Sequence, residues 1–355
     1  MAGEIIYSFQ PGPAQLFPEV RHWTEVALKE GLLSRYHRDP FWRTIFEQAQ
    51  IAIARYLRLP KEWLVAFASS ATEVWQMLVD ATAGYSTLHL IQGSFGERWF
   101  HLQRALSPQA QSLWLSLDMP WESYRSALSA FPQAEYVAVV HVETSIGALL
   151  SHFRDIRSAF PESIIAVDAT SSIGGLSLPW DLVDIAFASV QKCLGLPPGL
   201  AVLAVSSRIL DRFSFSSRRR FNDLAYVLEC ARRHEPPHTP ALLNIFLLSR
   251  VFADREPPTE ELLWQRARWI EEEMQKRGFM SLLPPSWRSP TVLTFQWQSS
   301  AQGSLLRSKA QEKGLYLGWG YGSYRDTTFR IANFPAIPDS AYELLLEVLS
   351  ERGFQ

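Results

Sequence analysis

The sequence predicts an α/β protein, with a mostly parallel sheet in residues 1–256 and a smaller α+β region in residues 257–355. Three features predict it. Short apolar runs alternate with segments of helical spacing, several runs are apolar without a break, and polar side chains collect where the runs end. Residues 5–13 read as extended, and residues 42–57 as a helix with Ile45, Ala49, Ala52, Ile53 and Tyr56 on one face. Residues 64–67 form a short strand. Ser69-Ser70-Ala71-Thr72 then opens a helix to about residue 83, because Ser and Thr cap the exposed N–H groups of a first turn. A strand over 87–92 and a helix over 95–105 follow. Strands over 136–141, 164–168, 185–189 and 200–205 come next, with a helix over 153–159 between the first two. Elements alternating at this length imply right-handed crossovers, with ligands bound beyond the carboxyl ends of the strands. Helices over 242–252 and 259–278 lead out of this region, and Pro257-Pro258 marks the boundary. Shorter strands (291–297, 316–318, 328–331) and a closing helix over 340–352 complete the chain.

Composition excludes several classes. Across 355 residues, 47% are hydrophobic and 20% charged, which suits a globular protein with a large core. A net charge of −2 gives no pull toward nucleic acid or acidic membranes. The one basic run, Ser217-Arg218-Arg219-Arg220, is too short to name a nucleic-acid partner and reads as a solvated or interface loop. Cys193 and Cys230 make neither a disulfide framework nor a CxxC metal site, so no metal is expected. The first residues lack a signal-peptide pattern, and no apolar stretch approaches the ~20 residues a membrane span needs. The expectation is a cytoplasmic enzyme or binding protein.

The strand ends carry the chemistry. Residue 67 leads to Ser69–Thr72, His141 to Glu143-Thr144-Ser145, Val167 to Asp168-Ala169-Thr170-Ser171-Ser172, and Ala188 to Ser189, Gln191 and Lys192. Asp168 closes an apolar strand, so its carboxylate either caps the next turn through Thr170 or Ser171 or needs a cationic or donating partner. Lys192 alone would read as a strand-end lysine reaching solvent. Together the two point further. A desolvated lysine has a lowered pKa and forms imines with carbonyls, and a buried Asp holds a pyridinium nitrogen protonated. A Ser/Thr-rich helix N-terminus holds a phosphate. These are the three grips that pyridoxal phosphate requires.

At these residues the chain resembles the class V aminotransferases, a family of fold type I pyridoxal-phosphate enzymes. "VDATSSIGGLSL" followed by "DIAFASVQKCLGLPPGLAVLAVS" is similar to the family's signature. Within the class the phosphoserine aminotransferases look closest, through "YSFQPGPAQLFPEV", "YHRDPF" and "PPHTPALLNIFLLSRV". The resemblance implies a seven-stranded, mostly parallel sheet, with Lys192 carrying the cofactor as an internal aldimine and Asp168 at its ring nitrogen. Ser70, Ala71 and Thr72 match the phosphate cup, with Ala71 where a glycine is common. Phe95 matches an aromatic that stacks on the ring, although taken alone it reads as core packing. Thr144 matches a hydroxyl near the ring oxygen, and Gln191 a side chain that holds the cofactor. His238 and Thr239 match an Asn-Thr pair that reaches the phosphate from a partner subunit, which implies a homodimer with shared sites. Arg330 matches the arginine gripping the substrate carboxylate; read alone it is equally a strand arginine at the surface. His37 and Arg38 match contacts to the substrate phosphate. Arg325 lies in a second His-Arg element in which Tyr324 replaces the His and one residue is missing before Arg330.

The expected activity is transamination of O-phosphoserine with 2-oxoglutarate, a step of serine biosynthesis. Rival readings are another class V enzyme acting on serine or alanine with glyoxylate, a desulfurase, which needs a mobile cysteine where Cys193 lies directly after Lys192 and Cys230 has no supporting motif, and a retired fold serving as a binding protein.

Overall fold

The computed structural model describes residues 6–213 and 222–351. The basic run at 217–220 lies outside the described residues. Seven strands form the larger sheet: β1 (Leu64–Ala68), β2 (Thr87–Ile91), β3 (Gln111–Trp114), β4 (Tyr136–Val140), β5 (Ile164–Asp168), β6 (Ile185–Ser189) and β7 (Ala201–Val205). Their spatial order is β1-β7-β6-β5-β4-β2-β3, and only β7 runs against its neighbours.

The unbroken apolar runs follow from burial on both faces. In β5, Ile165 and Val167 join a core with helices Pro40–Tyr56 and Leu242–Val251, while Ile164 and Ala166 join another with Ala71–Ala81 and Leu224–Arg232. Strand β3 had no sequence signal, since its residues are half-buried or exposed and Trp114 stays 51% exposed at the sheet's edge. The helix Glu19–Lys29 also went unread; it buries only Val20 and Ala27, too few to set a period.

A second sheet has the order Tyr7–Phe9, Leu315–Trp319, Thr328–Ala332, Val292–Gln296 and Met280–Ser281. Its first strand comes from the opposite end of the chain and pairs in parallel, Tyr7 with Leu315 and Phe9 with Leu317. The stretch 10–17 therefore has to cross from this sheet to the larger one. Helices Glu260–Lys276, Ser300–Glu312 and Asp339–Ser350 cover the second sheet with a core that includes Phe295, Phe329 and Phe334. Among the described residues no helix is long and apolar enough to cross a membrane.

Candidate active site

Lys192 lies in the loop 190–200 that joins β6 to the antiparallel β7. That loop is tied at several points. Val190 N donates to Leu200 O at 3.0 Å, Leu196 N to Val190 O at 3.1 Å, and Asn244 Nδ2 to Pro197 O at 2.6 Å. Gly195 takes φ +54, and a Cβ there would lie 2.7 Å from the Phe17 ring, so only glycine fits this turn. Lys192 is buried, and its Nζ donates to Thr144 Oγ1 at 2.7 Å and Ser171 Oγ at 3.1 Å. Burial lowers its ammonium to about 8, against the opposing charges of Asp168 and Glu143. An amine so placed is a nucleophile near neutral pH.

Asp168 ends β5 and is buried. Thr170 N donates to its Oδ1 at 2.9 Å, as the turn-capping reading expected. Trp75 Nε1 donates to Oδ2 at 2.9 Å. Burial raises the carboxyl above the ordinary range, opposed by Thr170, Lys192 and the Trp75 indole. Ser70 caps the helix Ala71–Ala81 by accepting from Glu73 N at 3.1 Å, and Ala71 N donates to Ser189 Oγ at 2.8 Å on β6. The first turn of that helix thus presents Ala71 and Thr72 to the same cleft as Lys192 and Asp168.

Arg330, on the second sheet, faces the cleft from the other side. Its Nε and Nη2 donate to Trp319 O at 2.9 and 2.7 Å, and its Nη1 donates to Thr144 O at 2.8 Å. Three of a guanidinium's five donors are committed by these bonds, leaving two for a carboxylate. Burial lowers its pKa to about 10. Phe95 has the Lys192 Nζ 5.3 Å from its ring centroid, and its ring stacks on Tyr321 at 5.3 Å. Gln191 lines the cleft, and its Oε1 has no hydrogen-bond partner among the described residues.

Several contributors carried no assignment in the sequence reading. Glu143 is fully buried, and its carboxylate accepts from Phe95 N, Gly96 N, Ser145 N and Ser145 Oγ. It caps the Phe95 helix (Ser94–Leu106) and fixes the Thr144 turn at once, and its place in "HVETSIG" was the only available signal. Gly12, at φ +145, packs on the lysine stem, and a Cβ there would meet Lys192 Cε at 2.8 Å. Ala14 N donates to Gln191 O at 2.9 Å, which pins this crossing segment to the lysine loop. Tyr321 and Trp319 complete the wall.

The remaining predicted residues do not line this cleft. His37 and Thr239 meet at 3.3 Å between Nδ1 and Oγ1, and burial with nearby Arg38 and His238 lowers the His37 pKa. His238 and Thr239 line a separate, mainly apolar pocket with Phe46, Phe67 and Leu200. Arg38 is exposed, as is Arg325 in the turn following Tyr321.

The comparisons agree with this geometry. A family model described as aminotransferase class-V matches residues 104–227. An uncharacterized aminotransferase of Helicobacter pylori is 25% identical over 364 residues, covering 98% of this chain and 95% of that protein. An L-aspartate–glyoxylate aminotransferase of Paracoccus denitrificans is 23% identical over 350 residues, covering 94% of this chain and 87% of its own length. A phosphoserine aminotransferase of Cytophaga hutchinsonii, known from a crystal structure, matches with a TM-score of 0.86 at 27% identity, over 99% of this chain and 100% of that one. With its strand order, its lysine loop and its cleft between two sheets, the chain has the fold type I architecture and is similar to the class V aminotransferases.

Proposed function

We propose that this chain is a pyridoxal-phosphate-dependent aminotransferase, working as a homodimer, with O-phosphoserine as amino donor and 2-oxoglutarate as acceptor. The observation that carries the reading is Lys192, a buried amine with pKa lowered to about 8, sharing one cleft with Asp168 and Arg330. The residues present fit the cofactor. The helix N-terminus at Ala71 and Thr72 suits its phosphate, Asp168 its ring nitrogen, and the unpartnered Gln191 Oε1 offers an acceptor beside Lys192. Pyridoxal phosphate supplies, when bound, an electrophilic carbonyl carbon and a sink for electrons.

The protein's own groups do the rest. Arg330 offers its two uncommitted donors to the substrate carboxylate and so orients the Cα–H bond. Lys192 Nζ, steadied by Thr144 and Ser171, takes and returns the Cα proton as general base and acid. Asp168 holds a proton at the ring nitrogen. Phe95 and Tyr321 form an aromatic wall that keeps water out. Cys193 is unsuited to desulfurase chemistry, since it is fully buried and burial pushes its thiol above the ordinary range.

The phosphoserine half rests on groups outside the single-chain cleft, with Arg38 and Arg325 as the cations able to bind a dianion. His37, Arg38, His238 and Thr239 gather in one patch, which suits delivery to the cleft of a second subunit. The similar Cytophaga enzyme supports this choice. A second reading, a smaller or unphosphorylated amino acid with glyoxylate as acceptor, is favoured by Tyr324 standing where the resemblance expects a histidine. Half-reaction spectra of the loaded protein with phosphoserine, serine, alanine and glutamate decide between them. The expected result is the fastest loss of the imine's visible absorbance with phosphoserine. A faster response to alanine overturns the substrate, and absence of any chromophore overturns the enzyme class.

A further inference from the structure

We infer that Trp75 is a positioning residue for Asp168, holding that carboxylate ionised and turned toward the cleft; this rests on the reading of Asp168 as the partner of the cofactor's ring nitrogen. Trp75 lies one turn into the helix whose N-terminus lines the cleft, and only 3% of it is exposed. Its indole N–H and the Thr170 N–H each take one oxygen of Asp168, both at 2.9 Å. With both oxygens bound to fixed donors, the carboxylate plane cannot turn.

The indole is itself immobile. It stacks on Trp99 with centroids 6.0 Å and planes 8° apart, and Trp99 stands edge-on to Phe187 and His89. Phe187 is the register partner of Asp168 across β5 and β6, so the aromatic column is anchored on the strand pair that carries the carboxylate. An indole donates without accepting and carries no charge. It therefore favours the ionised carboxylate without competing with the cofactor's ring nitrogen for it, as a second cation would.

Thr170 and Trp75 share this job with the Lys192 ammonium. Among the described residues Lys192 is the one charged side chain acting on Asp168, while Glu143 and Arg330 act on Lys192 instead. His89 faces Trp99, and burial lowers its pKa to about 3, so it stays neutral.

The test is the dissociation constant of pyridoxal phosphate for the full chain between pH 5 and 9, measured by absorbance and fluorescence titration. Binding should weaken in acid as Asp168 protonates. In Trp75→Phe the constant should rise about tenfold, as for a lost hydrogen bond to a charged group. The acid limb should move to higher pH by about one unit. Trp99→Phe removes similar bulk from the same stack without touching Asp168, and should lower the melting temperature but leave the limb in place. In an Asp168→Asn background the part of the limb due to Asp168 should vanish, leaving that of the Lys192 ammonium, and Trp75→Phe should add less than about twofold. Should Trp75→Phe not fold, Trp75→Met fills the same gap without a donor and is read the same way. A uniform loss at every pH, or a full loss retained in Asp168→Asn, overturns the inference by reducing Trp75 to packing. Failure of the unaltered chain to bind the cofactor overturns the functional reading, and this inference with it.

Discussion

The cleft around Lys192 and the patch around His37 are built from different material. In the cleft, Lys192, Asp168 and Thr144 sit at strand ends or in tightly closed turns and Arg330 in mid-strand; all are buried and hold two or three short hydrogen bonds each. In the patch, Arg38 and Thr239 are exposed, His37 is half-buried, and one 3.3 Å contact joins His37 to Thr239. The contrast separates two jobs. Reaction chemistry needs pre-organised groups in a dry site, which sheet ends supply. Discrimination among substrates is placed on surface loops, where change costs little stability. That division suits a chain similar both to a protein named for phosphoserine and to one named for aspartate and glyoxylate.

The comparison breaks most severely at Lys192. Replacing Lys192 with Ala should abolish the chromophore and lower turnover by at least about 10³-fold, since both the covalent anchor and the general base are lost. Steady-state assays with every amino donor in the panel check this. A variant that is slow with only one donor would mean that Lys192 belongs with specificity rather than chemistry.

The same side chain makes the cleft costly in the cofactor-free protein. Its pKa falls from 10.5 to about 8 on folding, so below pH 8 the folded state carries a buried charge that the unfolded chain solvates freely. That difference is worth an upper limit of about 3 kcal/mol. Lys192→Met should therefore melt higher than the unaltered cofactor-free chain at pH 7. The sign follows from proton counts. Between pH 8 and 10.5 the unfolded lysine binds more protons than the folded one, so the unaltered chain gains stability as pH rises and the advantage of Lys192→Met shrinks across that window. Equal melting temperatures at pH 7 would show that the amine is solvated.

Much of this was legible in the sequence, for a physical reason. A lysine or aspartate at the end of an unbroken apolar strand is a local contradiction, and local contradictions mark sites. Lys192 and Asp168 declared themselves in this way, whereas Arg330, in the middle of the strand Thr328–Ala332, was picked out only through the resemblance; the sheet followed from its apolar runs. Trp75 did not, because an apolar helix position and a donor to a carboxylate 93 residues away look alike until the fold brings them together. Gly12 and the Tyr7–Phe9 pairing were hidden for the same reason, since their partners lie far along the chain. Strand β3 was missed because an edge strand buries too little to impose alternation.

Arg330 tests whether the second sheet belongs with the chemistry. Arg330→Lys keeps a charge but loses the planar fork, and with it the bonds to Trp319 O and Thr144 O. The ratio kcat/KM should fall about 10²-fold for every amino acid donor, mostly through KM. Cofactor binding, measured by titration, should change little because Asp168, Gln191 and the Ala71 helix are untouched. Loss of the cofactor together with activity would assign Arg330 to the scaffold.

The smallest effect sharpens the comparison most. Arg38 is exposed and lies outside the Lys192 cleft, so Arg38→Ala should leave the melting temperature and the response to alanine unchanged. If the patch serves a second subunit's substrate phosphate, KM for phosphoserine alone should rise about tenfold, the worth of one charge-assisted contact. Mixing Arg38→Ala with Lys192→Ala subunits provides the sharper measurement. In a heterodimer one cleft then combines an intact lysine with the intact Arg38 patch of the Lys192→Ala subunit, and the other cleft has neither. The heterodimer should therefore show the unaltered KM for phosphoserine, because the only working lysine faces an intact patch. A raised KM in the heterodimer would mean that Arg38 serves the cleft of its own chain.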